Sequence, residues 1–273
     1  MHYRLAIVTS ILLLTGCQKE QEIVPQQIIP VQERPISFKA SISLMEFEQS
    51  HSNKRSGFPS FGERLGQSPI DIPEKTRRFE STDPVLHYER FSLNNQNLEN
   101  FEGENLKVEV TGDNYITIKG KRYDLLKFHF HRNSEHALKG KKFGMEVHLV
   151  HASWNGELAV LGVFLEQIPR TNEQLETLFK HLPELPNQKV SVNQQFHPLS
   201  LLPRGSGSYF TYSGSLTTPA FTENLTWIVF ESPNTVSKEQ VHEYAEVFEE
   251  LNVRPLQPIS GRTVWEAKDY RIR

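Results

Sequence analysis

The run Leu126-Lys127-Phe128-His129-Phe130-His131 has the composition of a strand. A period of two puts Leu126, Phe128 and Phe130 on one face and Lys127, His129 and His131 on the other. Two imidazoles then project side by side. A second strand pattern, Glu146-Val147-His148-Leu149-Val150-His151, places Glu146, His148 and Val150 on one face. If the two strands are neighbours, His148 completes a set of three nitrogens, leaving a tetrahedral metal one open position, which is how catalytic zinc differs from structural zinc. Glu146 fits the same chemistry, because a carboxylate two residues before a ligand can accept the other imidazole N–H and fix its tautomer. His136 and His151 fall outside this set and read as structural histidines, hydrogen-bonded within the sheet.

A sheet has to carry these side chains, and strand signals fill the middle of the chain. Leu106, Val108 and Val110 alternate with polar residues, and 115–118, 125–131, 145–151, 158–165 and 225–230 are short β-rich runs. Two helices stand against them. Thr171 with Gln174 has the capping-box pattern, followed by Leu175, Leu178, Phe179 and Leu182 at helical spacing; Ser237 with Gln240 precedes Val241, Tyr244, Phe248 and Leu251 in the same way. Many strands with two helices predict a sheet-dominated α+β fold.

The chain has 273 residues, with 30 Lys+Arg against 33 Asp+Glu, so a net charge of -3 offers no broad basic surface for phosphates. Nucleic acid is excluded as a partner. At 37% hydrophobic and 10% aromatic residues the composition supports a folded body. The apolar run 5–14 behind Arg4 is too short to span a bilayer as a helix and reads as an export signal. Leu14-Thr15-Gly16-Cys17 resembles the bacterial lipoprotein processing box, so residues 1–16 are expected to be a signal peptide and Cys17 the lipidated residue. Residues 17–37 are then a flexible tether and 38–273 one folded domain. Gln18, in place of the aspartate associated with inner-membrane retention, favours the outer membrane. Cys17 is the only cysteine, which leaves the domain no disulfide.

Five separated motifs in order resemble the α-class carbonic anhydrases: Gln67-Ser68-Pro69-Ile70-Asp71-Ile72, the FHFH run with Ser134-Glu135-His136, Glu146 to His151, Ser213-Gly214-Ser215-Leu216-Thr217-Thr218-Pro219, and Asn252-Val253-Arg254-Pro255-Leu256-Gln257-Pro258. The resemblance covers about residues 65–262. It implies a single domain around a large, twisted, mostly antiparallel central sheet with a few peripheral helices. It also implies reversible hydration of carbon dioxide to bicarbonate and a proton, by a hydroxide on a zinc ion held by His129, His131 and His148. Thr217 matches the family's gatekeeper threonine, accepting the hydroxide's hydrogen and donating its own to Glu135. Val150, Val160, Leu216 and Trp227 match the apolar pocket for carbon dioxide, and Thr218 lies toward the bicarbonate side. Asn252 matches the residue whose backbone carbonyl orients the second histidine, a role that depends little on its side chain.

The sequence also departs from that family. Lys127 stands where a glutamine usually accepts the N–H of the first ligand, and an ammonium has no acceptor. The shuttle histidine is missing; by alignment Glu104, after Gly103, is the nearest candidate for a proton relay. Phe61 and Phe221 occupy the neighbourhoods of a disulfide common in exported relatives, and a contact between the two rings would substitute for it. Two other readings stay open at this point. His129-x-His131-x-x-x-Glu135 echoes a cupin metal motif in which the glutamate is itself a ligand. A surface protein that has lost catalysis and serves in binding or adhesion is the other.

Overall fold

Alternating aliphatic and polar residues assemble into one 14-stranded sheet among the residues described by this computed structural model, which are 66–81, 83–204, 207–268 and 270–273. The expected signal peptide, Cys17, the tether, the first residues of the domain and Phe61 lie outside the described residues. Seven strands form the centre: β1 (Leu98–Phe101), β2 (Asn105–Glu109), β3 (Lys121–Arg132), β4 (Met145–Ala152), β5 (Leu158–Ile168), β6 (Tyr209–Ser215) and β7 (Glu223–Phe230). In space they run β1-β2-β3-β4-β5-β7-β6, antiparallel except for β5 beside β7. The sheet-dominated, mostly antiparallel α+β architecture expected from the sequence is the one found.

Strands β4 and β5 at the middle of the sheet bury both faces. Phe128, Phe130, Val147, Leu149, Leu161 and Val163 point into the main core, while Val150, Val160, Trp227 and Tyr212 belong to a second apolar cluster on the other face. Phe128 and Phe130 are fully buried, which contributes about 1.5–3 kcal/mol each. The expected alternation fails at one place. Tyr123 and Leu125 face the same core as Phe128 and Phe130, and Leu126 is only half-buried. The register explains this: Val150 pairs with Lys127 but His151 with Leu125, so Leu126 is an extra residue on β3. Such a bulge restarts the two-residue period and leaves Lys127, His129 and His131 on one face.

Two α-helices lie among the described residues. The first, α1 (Glu173–Phe179), buries Leu175, Leu178 and Phe179 as expected, but its cap is Asn172 and not Thr171. Asn172 Oδ1 accepts from the Gln174 amide at 3.1 Å while its Nδ2 donates to the Thr235 carbonyl at 2.8 Å, so an amide side chain serves the helix end and a neighbouring strand together. The second, α2 (Lys238–Val247), has the full capping box between Ser237 and Gln240. Helix α2 packs behind the histidine strand. The Tyr244 hydroxyl donates to the Phe130 carbonyl at 3.1 Å and accepts from the Leu106 amide at 3.2 Å, tying β3 to β2. The helix stops before Leu251, which is 57% exposed and not part of its apolar face.

Candidate metal centre

The register of β3 and β4 brings His129 directly opposite His148. His131 lies two residues along on the same face, and the ring centroids are 5.0 Å (129–131), 5.3 Å (129–148) and 4.6 Å (131–148) apart. One ring nitrogen from each lies within 4.8 Å of the others. His131 and His148 are buried and His129 is partly so.

Hydrogen bonds settle which nitrogen each anchored ring offers. His131 Nδ1 is 2.7 Å from the Asn252 carbonyl. A carbonyl only accepts, so Nδ1 carries the proton and Nε2 is left with a lone pair. That Nε2 is buried without a hydrogen-bond partner. His148 Nε2 donates to Glu146 Oε1 at 2.9 Å, leaving Nδ1. Burial holds His131 below the usual histidine range. Burial, then the neighbouring His131 and His148 rings, then Lys127 and Lys107 hold His129 well below it. Neutral imidazoles with free lone pairs are the form that binds a cation, so the donor set fits a divalent metal.

Glu146 is fully buried. Burial alone would raise its pKa, but the rings of His136 and His148 keep the carboxylate well below its usual range. Its Oε1 accepts from His136 Nδ1 at 2.7 Å as well as from His148, and its Oε2 from the His136 amide at 2.8 Å. His136 Nε2 then accepts from the Tyr212 hydroxyl at 2.7 Å, and Tyr212 meets Ser68 Oγ at 2.9 Å. Ser68 and Ser215 exchange two more bonds at 2.9 and 3.1 Å. A chain of polar contacts thus runs from the Gln67-Ser68 motif to the ring of His148. The chain is closely packed: a Cβ on Gly214 would fall 2.2 Å from Ser68 Oγ, and one on Gly162 would fall 3.1 Å from Glu146 Oε1. His136, Glu146 and His148 form a second group of closely spaced potential donors, with His136 lying outside the strands; His151 turns into the main core, with Nε2 2.7 Å from the Tyr88 hydroxyl.

Glu135 lies beside the histidines, with Oε2 3.4 Å from His131 Nε2 and 3.8 Å from His148 Nδ1. Oε1 accepts from the Arg254 amide at 2.8 Å, whereas Oε2 is buried without a hydrogen-bond partner. Lys142 fixes the loop beneath by donating to the carbonyls of Ser134 and Glu135 at 3.0 and 2.7 Å. Thr217 is buried just beyond the end of β6, and Thr218 is partly exposed. Val150, Val160, Leu216 and Trp227 share one apolar cluster. Trp227 also packs on the ring of His148, at 4.8 Å between centroids, and its Nε1 donates to the Ser215 carbonyl at 3.0 Å.

Several findings depart from the sequence expectations. Asn252 uses its side chain heavily: Oδ1 accepts from the Arg132 amide at 3.1 Å and Nδ2 donates to the Phe130 carbonyl at 2.9 Å, bracketing His131. Phe221 has the Arg254 guanidinium 3.8 Å from its ring centroid, a cation–π contact, while the expected partner Phe61 lies outside the described residues. Arg254 also donates to Gln67 Oε1 and the Ser68 carbonyl at 2.8 and 2.7 Å. Glu104 is exposed in the turn before β2, whereas the charged residues of β2 opposite His129 and Lys127 are Lys107 and Glu109. Sequence reasoning missed Arg254, Tyr212 and Lys107; the alternation of Leu106, Val108 and Val110 already placed Lys107 on the face away from the core.

Comparison with known proteins gives a consistent result. Residues 49–268 match the family described as eukaryotic-type carbonic anhydrase. A carbonic anhydrase of a Nostoc species is 35% identical over 205 residues, covering 74% of this chain and 75% of the relative. The α-carbonic anhydrase of Photobacterium profundum superposes with a TM-score of 0.69 at 35% identity, covering 81% of this chain and 95% of that one. That of Thermovibrio ammonificans, solved with the inhibitor sulfanilamide, gives 0.67 at 37% identity, covering 73% and 86%.

Proposed function

Since the chain belongs to the eukaryotic-type, alpha-class carbonic anhydrase family, whose reaction is the hydration of carbon dioxide, we propose that this reaction runs at a zinc ion held by His129, His131 and His148. The observation that carries the reading is the donor set: clustered imidazoles, two with their tautomers fixed by Asn252 and Glu146, and His131 Nε2 buried without a partner. Zinc bound there supplies an acidified water, and so a nucleophile near neutral pH. The protein's own groups supply orientation. Thr217 would present its hydroxyl as acceptor to that nucleophile and would donate its own hydrogen to Glu135, whose Oε2 is buried without a hydrogen-bond partner. Val150, Val160, Leu216 and Trp227 form an apolar wall suited to a small molecule without a net dipole, and Thr218 takes the bicarbonate side. The cupin reading needs a different fold and is set aside.

Stopped-flow hydration of carbon dioxide, with zinc content measured on the same samples, tests the proposal. The wild-type protein is active and carries zinc; His148→Ala is inactive and loses it. A wild-type protein that neither binds zinc nor hydrates carbon dioxide would make the chain a binding or adhesion protein. With no histidine relay, proton export to buffer limits turnover, so imidazole raises it. A rate independent of buffer would contradict that step.

We assign residues 1–16 to a lipoprotein signal and Cys17 to a lipid anchor in the bacterial envelope, the outer membrane preferred, on the strength of the apolar run and the Leu14-Thr15-Gly16-Cys17 box. No helix among the described residues is long and apolar enough to cross a membrane. Cys17→Ser should move the protein from the membrane to the soluble fraction of the cells.

A further inference from the structure

The face of the sheet that carries the histidines continues past them as a row of charges. Across neighbouring strands the register aligns Lys189, Glu99, Lys107, His129 and His148. Residues directly opposite in antiparallel pairs share a face, with Cβ atoms about 4.5–5.5 Å apart. Lys107 is therefore the immediate cross-strand neighbour of His129. Its ammonium nevertheless turns the other way: Nζ is 2.5 Å from Glu99 Oε2 and 4.5 Å from the centroid of the Phe101 ring. The two side chains are only 12% and 9% exposed, so solvent screens the pair little. Glu109 Oε1 is 3.9 Å from both Lys107 and Lys189, and Lys189 is 3.4 Å from Glu99, which completes a four-charge network around Lys107, with Glu99 and Lys189 on the side away from His129.

We propose that Glu99 is a positioning residue for the metal centre: it draws the Lys107 ammonium outward along the row, so that His129 can accept a divalent cation although a lysine stands directly across from it. The inference rests on the zinc reading above. Its physical basis is the distance dependence of charge repulsion, which is doubled for a divalent ion and grows as solvent is excluded. Without the Glu99 carboxylate, an ammonium beside the site has less reason to face away, and the metal meets its charge at shorter range.

The test is the rate at which zinc passes from loaded protein to excess chelator, measured for wild type, Glu99→Gln, Lys107→Gln and the double variant. Glu99→Gln should release zinc roughly tenfold faster, at the lower end of what outer groups around a metal contribute. Lys107→Gln should release it more slowly than wild type, and the double variant should return to the wild-type rate or below. A Glu99→Gln rate equal to wild type overturns the inference, as does a double variant as fast as Glu99→Gln, because a merely structural carboxylate would not be rescued by removing the lysine. If Glu99→Gln does not fold, Glu99→Asp takes its place: its shorter carboxylate draws Lys107 out less far, so zinc should leave faster than from wild type, and an unchanged rate overturns the inference. A wild-type protein that binds no zinc would overturn the functional reading itself, whereas zinc binding indifferent to both residues would overturn only this inference.

Discussion

Two sides of the histidine cluster are built on opposite principles. Toward β4 and the 252–254 segment, each ring hands its spare N–H to a fixed acceptor, His148 to the buried Glu146 carboxylate and His131 to the Asn252 carbonyl. Toward β2, His129 is flanked by cations, Lys127 two residues earlier on its own strand and Lys107 across from it, and both contribute to its lowered pKa. Anchoring acceptors raise the basicity of a ligand and fix its orientation; neighbouring cations repel the metal. One half of the site thus anchors its potential donor rings, and the other keeps its own charges apart. The contrast predicts that removing polar groups has opposite consequences on the two sides.

The largest effect belongs to Glu146, which serves His148, the His136 ring and the His136 amide together. Glu146→Gln should weaken zinc binding about 100-fold, the upper end of the range for such partners, read by chelator competition. A change of less than about threefold would mean that the rings are held by packing, Trp227 included. On the same side, Asn252→Ala keeps the carbonyl that orients His131 but loses two hydrogen bonds that bracket it. Thermal or urea unfolding should show a loss of about 1–3 kcal/mol, at 0.5–1.5 kcal/mol per bond. An unchanged stability would return Asn252 to the backbone-only role that its place in the motif suggested.

That case also shows what the sequence reveals. The convergence of the three histidines was legible because a two-residue period on two strands needs only local information, and β3 and β4 are antiparallel neighbours in the required register. The period says nothing of bulges, so Leu126 was placed on a face that Leu125 occupies. Strand β6 was not predicted because Tyr209, Phe210 and Tyr212 are buried on both faces, which erases the alternation. Bonds made by main-chain groups, such as the Arg254 amide to Glu135, leave no trace in residue type. The charge row through Lys107 was equally hidden, since it exists only once five strands are aligned.

On the cation-flanked side the sign reverses. Lys127→Gln replaces an ammonium by a group that can accept the His129 N–H, and it should slow zinc loss to a chelator about tenfold. Faster loss in that variant would mean that Lys127 supports the site through contacts of its own.

The smallest effect lies off the site but on the same strand, where His151 makes the useful contrast with His148. Its ring is fully buried in the main core against Tyr88, and burial pushes its pKa down to about 3. A histidine whose folded value lies below its unfolded value of about 6.5 takes up its proton in the unfolded chain first. Its contribution to stability is therefore complete above about pH 6.5 and is lost progressively as the pH falls toward 3. Between pH 7 and pH 6 the loss from this one group is about 0.7 kcal/mol, since each unit of pKa difference corresponds to about 1.4 kcal/mol. Urea midpoints across that interval should fall by the matching amount in wild type and fall less in His151→Gln, whose amide can still accept from the Tyr88 hydroxyl. Equal slopes for both proteins would show that the ring is already accessible to protons in the folded state.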